Sequence, residues 1–556
     1  MKRIYLIFWL LSAVIGTSLA QPSWVKKATK GVFTLKTFAE NGDLIGSATG
    51  FYVTAQGEAL SNYTPFRGAW KAIIVDADGK ELPVECLLGA NETYDVAKFR
   101  VGNAKKVQPL VVSQGSLAVG ASAWLLPYRE TKNVPMATIE KAEKFHTEYD
   151  YYTVSVAMPQ DAVGSPLLNE AGEVVGMMQM PAKQGDKQNY AVSARYADSL
   201  RMSGLSINDP VLRATKVKKD LPEAVDQAVL TLYLASQTLD SVANGQLIED
   251  FISKFPDAPD GYQYRAQIAY QANDFAAAQH DMETAIKVAS KKDEAHYSYS
   301  RLIYQKELLK KDIPYEPWTL EKALQETDEA YSIASLPIYL HQRALILFAQ
   351  KKYDEASQVY AELTGTSLRS PELFYEASRC KEMVADTLGQ LALLDSAMTM
   401  FNRPLLKEAA PYLLMRAQVL LAMERYRDAV ADLNDYESLM KTQVNDHFYY
   451  IRFQADRGGR LFQQALDDIN QAISLNPQYD LYHAEKASLL IRVGLYDDAL
   501  VTAQECIRLA PEYSDGYLFL GFAQCLKGQM EEGLKNLQKA KELGDPQADG
   551  LIEKYK

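Results

Sequence analysis

Taking a proton near neutral pH calls for an imidazole, and residues 24–204 contain one histidine, His146. Ser165 stands directly before Pro166, and Asp95 lies in the run TYDVAKFRV. Nothing in the local sequence pairs that hydroxyl with a base. The four cysteines, Cys86, Cys380, Cys506 and Cys525, are scattered with no CxxC spacing. That excludes the usual thiolate metal sites and leaves buried thiols as the expectation rather than disulfides. Far downstream, His447, Tyr450, Gln454 and Arg457 follow one another in steps of 3, 4 and 3 residues. On a helix these four form one stripe, a polar and aromatic face that can hold a partner or simply face water. No residue set points to a metal or a cofactor.

The elements that must carry these residues come in two textures. From about 24 to 204 the chain reads as short strands with turn signals. The expected strands are Gly31–Ala39, Phe51–Thr54, Ala72–Asp76, Leu82–Leu88, Ala121–Leu126, Tyr151–Ala157, Val174–Met180 and Tyr190–Ser193, with Asn41-Gly42 and Asp78-Gly79 as turns. Many short strands at regular spacing predict an antiparallel barrel or sandwich. Residues 205–220, with glycine, proline and the basic Lys216, Lys218 and Lys219, are read as the linker. From 221 to 556 the apolar period is helical.

The helical region repeats. Ala417, Phe453, Ala487 and Gly521 lie 36, 34 and 34 residues apart, and Ala429, Ala465, Ala499 and Gly533 follow each by 12. Tyr426, Phe462, Tyr496 and Met530 precede the second set by three, and Pro477 and Pro511 close two units. Ala266, Phe275 and Ala278 echo the pattern, as do Ala344, Tyr353 and Ala356. Small residues allow two helices to approach closely. This helix–turn–helix resembles the tetratricopeptide repeat, with eight or nine units expected over the length. The stretch 290–410 fits the period poorly. The resemblance implies a groove, lined by the first helix of each unit, that takes a protein or peptide partner.

Lys2 and Arg3, the apolar run Ile4–Ile15 and the small residues Ser18-Leu19-Ala20 fit a signal peptide over residues 1–20. Export to a bacterial periplasm or the cell exterior is therefore expected, with no membrane span in the mature chain. The formal net charge of −12 argues against nucleic acid as a partner. Oligomeric state is not legible.

Three stretches of the first texture resemble the trypsin-like serine proteases of the Do (HtrA) type. They are GSATGFYVTAQGEALSN from Gly46, TYDVAKFRV from Thr93, and QDAVGSPLLNEAGEVVGM from Gln160. The resemblance implies a chymotrypsin-like all-β double barrel over 24–204, followed by the all-α repeat solenoid. It also implies where the triad should stand. The family's histidine falls at Thr64, two residues after Asn62; its aspartate falls at Asp95; its nucleophilic serine falls at Val163, three before Pro166. Threonine is no base near neutral pH and valine is no nucleophile. The oxyanion-hole positions are Asp161 and Val163, where aspartate would repel a developing negative charge. Asp95 is then vestigial, held by hydrogen bonds. The expected function is an exported interaction or scaffold protein with a catalytically inactive trypsin-like domain. The alternative is a serine-type peptidase or other hydrolase with a non-standard group, for which His146 would have to reach Ser165 or Thr64.

Overall fold

The structure is a computed structural model that describes residues 21–145, 149–156, 158–159, 162–180 and 188–556. His146, Gln160 and Asp161 lie outside the described residues, as does the expected signal peptide. The chain divides into two compact units that meet at Ala289 and Ser290.

After a short helix α1 (Val25–Ala28), the first unit builds two closed antiparallel barrels of six strands each. The first holds β1 (Val32–Phe38), β2 (Leu44–Tyr52), β3 (Glu58–Ser61), β4 (Lys71–Val75), β5 (Glu81–Asn91) and β6 (Val96–Val101). The second holds β7 (Ser122–Leu125), β8 (Met136–Phe145), β9 (Tyr149–Ser155), β10 (Pro166–Leu168), β11 (Val174–Met178) and β12 (Gln188–Ser193). The strand order β1-β2-β3-β6-β5-β4 recurs as β7-β8-β9-β12-β11-β10, so the second barrel repeats the wiring of the first. Alternation aims Phe33, Leu35, Leu82, Val84 and Phe99 into the first barrel. Ala123, Leu125, Ile139, Val154, Leu167 and Val175 fill the second. Phe51, Leu60 and Val96 meet Leu168, Val174 and Val192 in a shared core between the two. This is the expected double barrel.

Residues 205–220, expected to join the domains, run back along the first barrel. Helix α2 (Pro210–Arg213) and the residues after it bury Leu212 and Val217 in that barrel's core. The Gly68 and Leu87 N–H groups donate to the carbonyls of Ala214 and Lys218, and the Lys216 and Asp220 N–H groups donate to those of Ala69 and Leu87. The unit continues with α3 (Val225–Thr238), α4 (Ser241–Lys254), α5 (Pro259–Gln271) and α6 (Phe275–Val288).

The second unit is helical throughout. It runs α7 (Lys292–Leu309), α8 (Leu320–Ile333), α9 (Pro337–Ala349), α10 (Tyr353–Leu363), α11 (Pro371–Met383), α12 (Thr387–Met398), α13 (Ala410–Ala422) and α14 (Tyr426–Met440). Then follow α15 (Asp446–Gly458), α16 (Phe462–Leu475), α17 (Asp480–Arg492), α18 (Tyr496–Leu509), α19 (Ser514–Leu526), α20 (Met530–Glu542) and α21 (Ala548–Tyr555). From α7 to α20 these pack as successive antiparallel pairs, each against the next, and α21 covers the last. The poor period near 290–410 has a local cause. Helix α7 is 18 residues long, and a ten-residue connection precedes α8, where Trp318 is buried and donates to the Tyr299 hydroxyl at 3.1 Å. The repeat positions Ala417, Phe453 and Ala487, and Ala429, Ala465 and Ala499 after them, are fully buried.

Candidate functional site

Asp95 ends the tight turn between β5 and β6, in the left-handed region at φ 48°. Aspartate tolerates that conformation better than most side chains. Its carboxylate is held from three sides. Oδ1 accepts from the Thr64 N–H at 2.6 Å and from the Thr64 hydroxyl at 2.8 Å, and Oδ2 accepts from the Asn62 amide at 2.8 Å. Thr64 therefore supplies, with its own amide and hydroxyl, the donors that an imidazole would bring. Tyr63, between them, is buried and turns the other way, donating to the Val211 carbonyl at 2.7 Å. That burial raises its phenol above the ordinary value, so Tyr63 is an anchor for α2 rather than a base.

The turn before β10 comes from the second barrel. Val163 is half-buried, and its carbonyl accepts from the Thr49 N–H at 2.8 Å. Gly164 has φ 85°, and a Cβ there would lie 2.1 Å from the Thr49 carbonyl oxygen and 2.7 Å from Asn62 Oδ1. Glycine is the residue that accepts both the dihedral and the approach. Asn62 thus bridges the barrels: its amide nitrogen holds Asp95 and its oxygen faces Gly164. Asn62 Oδ1 has no hydrogen-bond partner among the described residues. Ser165 is fully buried, and its hydroxyl likewise has no partner among the described residues. Asp95, Thr64 and the Val163 turn are brought together, as their positions in the sequence imply. The assembled place holds a saturated carboxylate, a hydroxyl bound to it and an apolar side chain. Among the described residues no group of three or more histidine, cysteine, aspartate or glutamate side chains is arranged to hold a metal.

The second candidate surface lies on α15. Tyr450 and Arg457 converge on Glu485 of α17: the Tyr450 hydroxyl donates to it at 3.3 Å and the Arg457 guanidinium pairs with its other oxygen. Gln454 lies close to the same Tyr450 hydroxyl and opposes the rise that burial gives its phenol. The Arg457 guanidinium also lies over the Phe453 ring, and Tyr450 stacks on that ring. His447 is exposed, one turn before Tyr450. Three of the four stripe residues are thus tied into one network, centred on a glutamate that the stripe does not contain. The signal that finds Glu485 is its offset of 35 residues from Tyr450, and His341 of α9 meets Glu376 of α11 at the same offset, at 2.6 Å.

A second regularity joins the two helices of a pair. Arg265, Arg416 and Arg452 each grip the aspartate 16 residues on, Asp281, Asp432 and Asp468, through the Nε and Nη2 groups of one guanidinium edge. Each also reaches an acid of the preceding helix: Glu249, Asp395 or Glu437. Beside the last of these, Asp456 is buried against Asp468. Burial and that neighbouring carboxylate push its carboxyl up to about 7.

Residues 48–177 match the family model of the trypsin-like peptidase domain, and residues 265–316 match that of the tetratricopeptide repeat. The chain therefore joins a trypsin-like domain to tetratricopeptide repeats. The Hsp70-Hsp90 organizing protein of Triticum aestivum is 24% identical over 243 residues, 41% of this chain and 38% of that protein. The chain thus spans about two fifths of the length of that curated relative. Among solved structures, the active form of the Rv3671c protease from M. tuberculosis is 19% identical with a TM-score of 0.28, over 32% of this chain and 82% of that one. The HtrA-type protease AlgW with a decapeptide is 18% identical with a TM-score of 0.27, over 31% of this chain and 63% of that one.

Proposed function

We propose that this chain is an exported interaction protein whose trypsin-like domain has lost peptidase chemistry and whose repeats bind a protein or peptide. The observation that carries the reading is the clasp on Asp95. Thr64 satisfies the carboxylate that in an active triad orients an imidazole, and Val163 stands where the nucleophile belongs. Loss of triad members in a protease of this chemistry costs about a million-fold in turnover. The repeats supply helix pairs with a half-buried polar and aromatic stripe, and a relative named for organizing Hsp70 with Hsp90 supports an adaptor role.

The decisive experiment treats the full chain with a fluorophosphonate probe and maps any adduct by mass spectrometry. No labelling is expected, and a casein or peptide panel should remain uncut. An adduct at Ser165 would overturn this reading in favour of a hydrolase with a relocated base. The export reading is tested separately by N-terminal sequencing of the protein from the cell envelope or medium, which should begin at Gln21.

A further inference from the structure

The first unit carries a cleft of about 700 Å³ between residues 202–222 and helices α3 and α4. Its volume is that of a small-molecule site, roughly 300–1,000 Å³. Its lining includes the apolar Ile207, Leu239 and Leu247. It also includes the cationic Arg213, Lys216, Lys218 and Lys219.

The balance of charge in the cleft is uneven. Lys218 is neutralised by Asp250 at 2.7 Å. The other acid of the lining, Asp220, is already held by Arg100 and Lys254, both at 3.2 Å. Lys219 donates to the Thr215 carbonyl. Arg213, Lys216 and Lys219 form no ion pair with a carboxylate among the described residues. In a chain with a formal net charge of −12, three such cations in one apolar-lined cleft run against the trend of the surface. Burial first, and then the charge of Lys216, bring the Lys219 ammonium down to about 8, so its charged form lacks a counter-ion.

We propose that this cleft binds an organic anion, with a carboxylate seated among Arg213, Lys216 and Lys219 and an apolar body lying on Ile207, Leu239 and Leu247. The carboxylate supplies the missing counter-charge, and the apolar body removes exposed leucine surface from water. Neither part alone answers both the cationic and the apolar residues of the lining.

Calorimetric titration of the full chain at pH 7 tests this with sodium octanoate, which carries both features, and with acetate and octanol, which carry one each. Saturable one-to-one binding of octanoate is expected, at least tenfold tighter than either control. The double variant Arg213→Gln, Lys216→Gln changes exposed side chains and should weaken octanoate at least tenfold. Lys218→Gln, whose ammonium is already paired, should leave binding within twofold. Lys219→Met should weaken it as well, and circular dichroism checks its fold; the exposed double variant decides the matter if that one does not fold. Octanol binding as tightly as octanoate, or octanoate binding unchanged in the double variant, overturns the proposal. N-acetyl-leucyl-leucine in parallel separates the two sources of such a carboxylate. Tighter binding of octanoate assigns a free acid, and tighter binding of the dipeptide assigns a chain end.

Discussion

Asp95 is a structural residue by its bonds. Its carboxylate accepts from the Thr64 amide, the Thr64 hydroxyl and the Asn62 amide. Asp95→Ala removes both acceptor oxygens, and with them three hydrogen bonds, and leaves an alanine in the left-handed region, so the local cost should be about 2–3 kcal/mol. Asp95→Asn keeps an acceptor oxygen and tolerates the dihedral, and should cost about half as much. Hydrogen exchange at the Thr64 amide reads the difference directly. Asp456 predicts a pH effect. Its folded-state value of about 7 lies above the ordinary 3.8, so the folded chain holds a proton that the unfolded chain has released between those limits. Stability of α15 and α16 should then fall as pH rises through that window, by up to about 1.4 kcal/mol per unit. Above pH 7 the effect is complete. Asp456→Asn should abolish the slope, measured as the difference from wild type in exchange protection at pH 5 and 7.5. The triad positions were legible because motif order fixes them. The clasp was not, since a sequence shows that threonine replaces histidine but not that its amide and hydroxyl then bind the same carboxylate.

Between helices, stability rests on close approach and on the arginine clips. Arg452 and Asp468 expose only 11% and 7% of their side chains, whereas Arg265 exposes 35%. Arg452→Met leaves Asp468 and Asp456 buried without a cation, and should destabilise its pair by about 3 kcal/mol. Arg265→Met also strands a buried acid, Asp281 at 6% exposure, so it too should cost about 3 kcal/mol, while water screens the half-exposed Glu249. Gly521 and Gly533 mark a close crossing between α19 and α20. A Cβ on Gly521 would stand 2.7 Å from the Gly533 carbonyl oxygen. Gly521→Val should therefore loosen that helix pair and the cover helix α21, seen as lost exchange protection over 514–555. The small-residue period made these helices readable because packing alone demands it. The clips were readable in principle as an arginine followed 16 residues later by aspartate. Strands were harder. β8 carries the run Met-Ala-Thr-Ile-Glu-Lys-Ala-Glu, whose alanines and charges are weak strand formers. β10 has three residues, and β2 begins in a glycine-rich stretch that reads as loop. Barrel closure, not local preference, fixes all three.

At the scale of the whole molecule, two closed barrels and a train of helix pairs share one chain without a covalent link between distant parts. All four thiols are buried, one in β5 and the others in α11, α18 and α19. Burial lifts the Cys86 and Cys506 thiols to about 12 and that of Cys380 to about 11, so the reactive thiolate is scarce at neutral pH. Reductant should therefore leave the melting temperature of the full chain within about 1 °C, and alkylating reagents should find no thiol until the first barrel or the helix pairs open. The architecture is thus indifferent to redox surroundings. With no disulfide to form, folding asks for neither an oxidant nor a disulfide isomerase, and a change of redox surroundings leaves the connectivity unaltered.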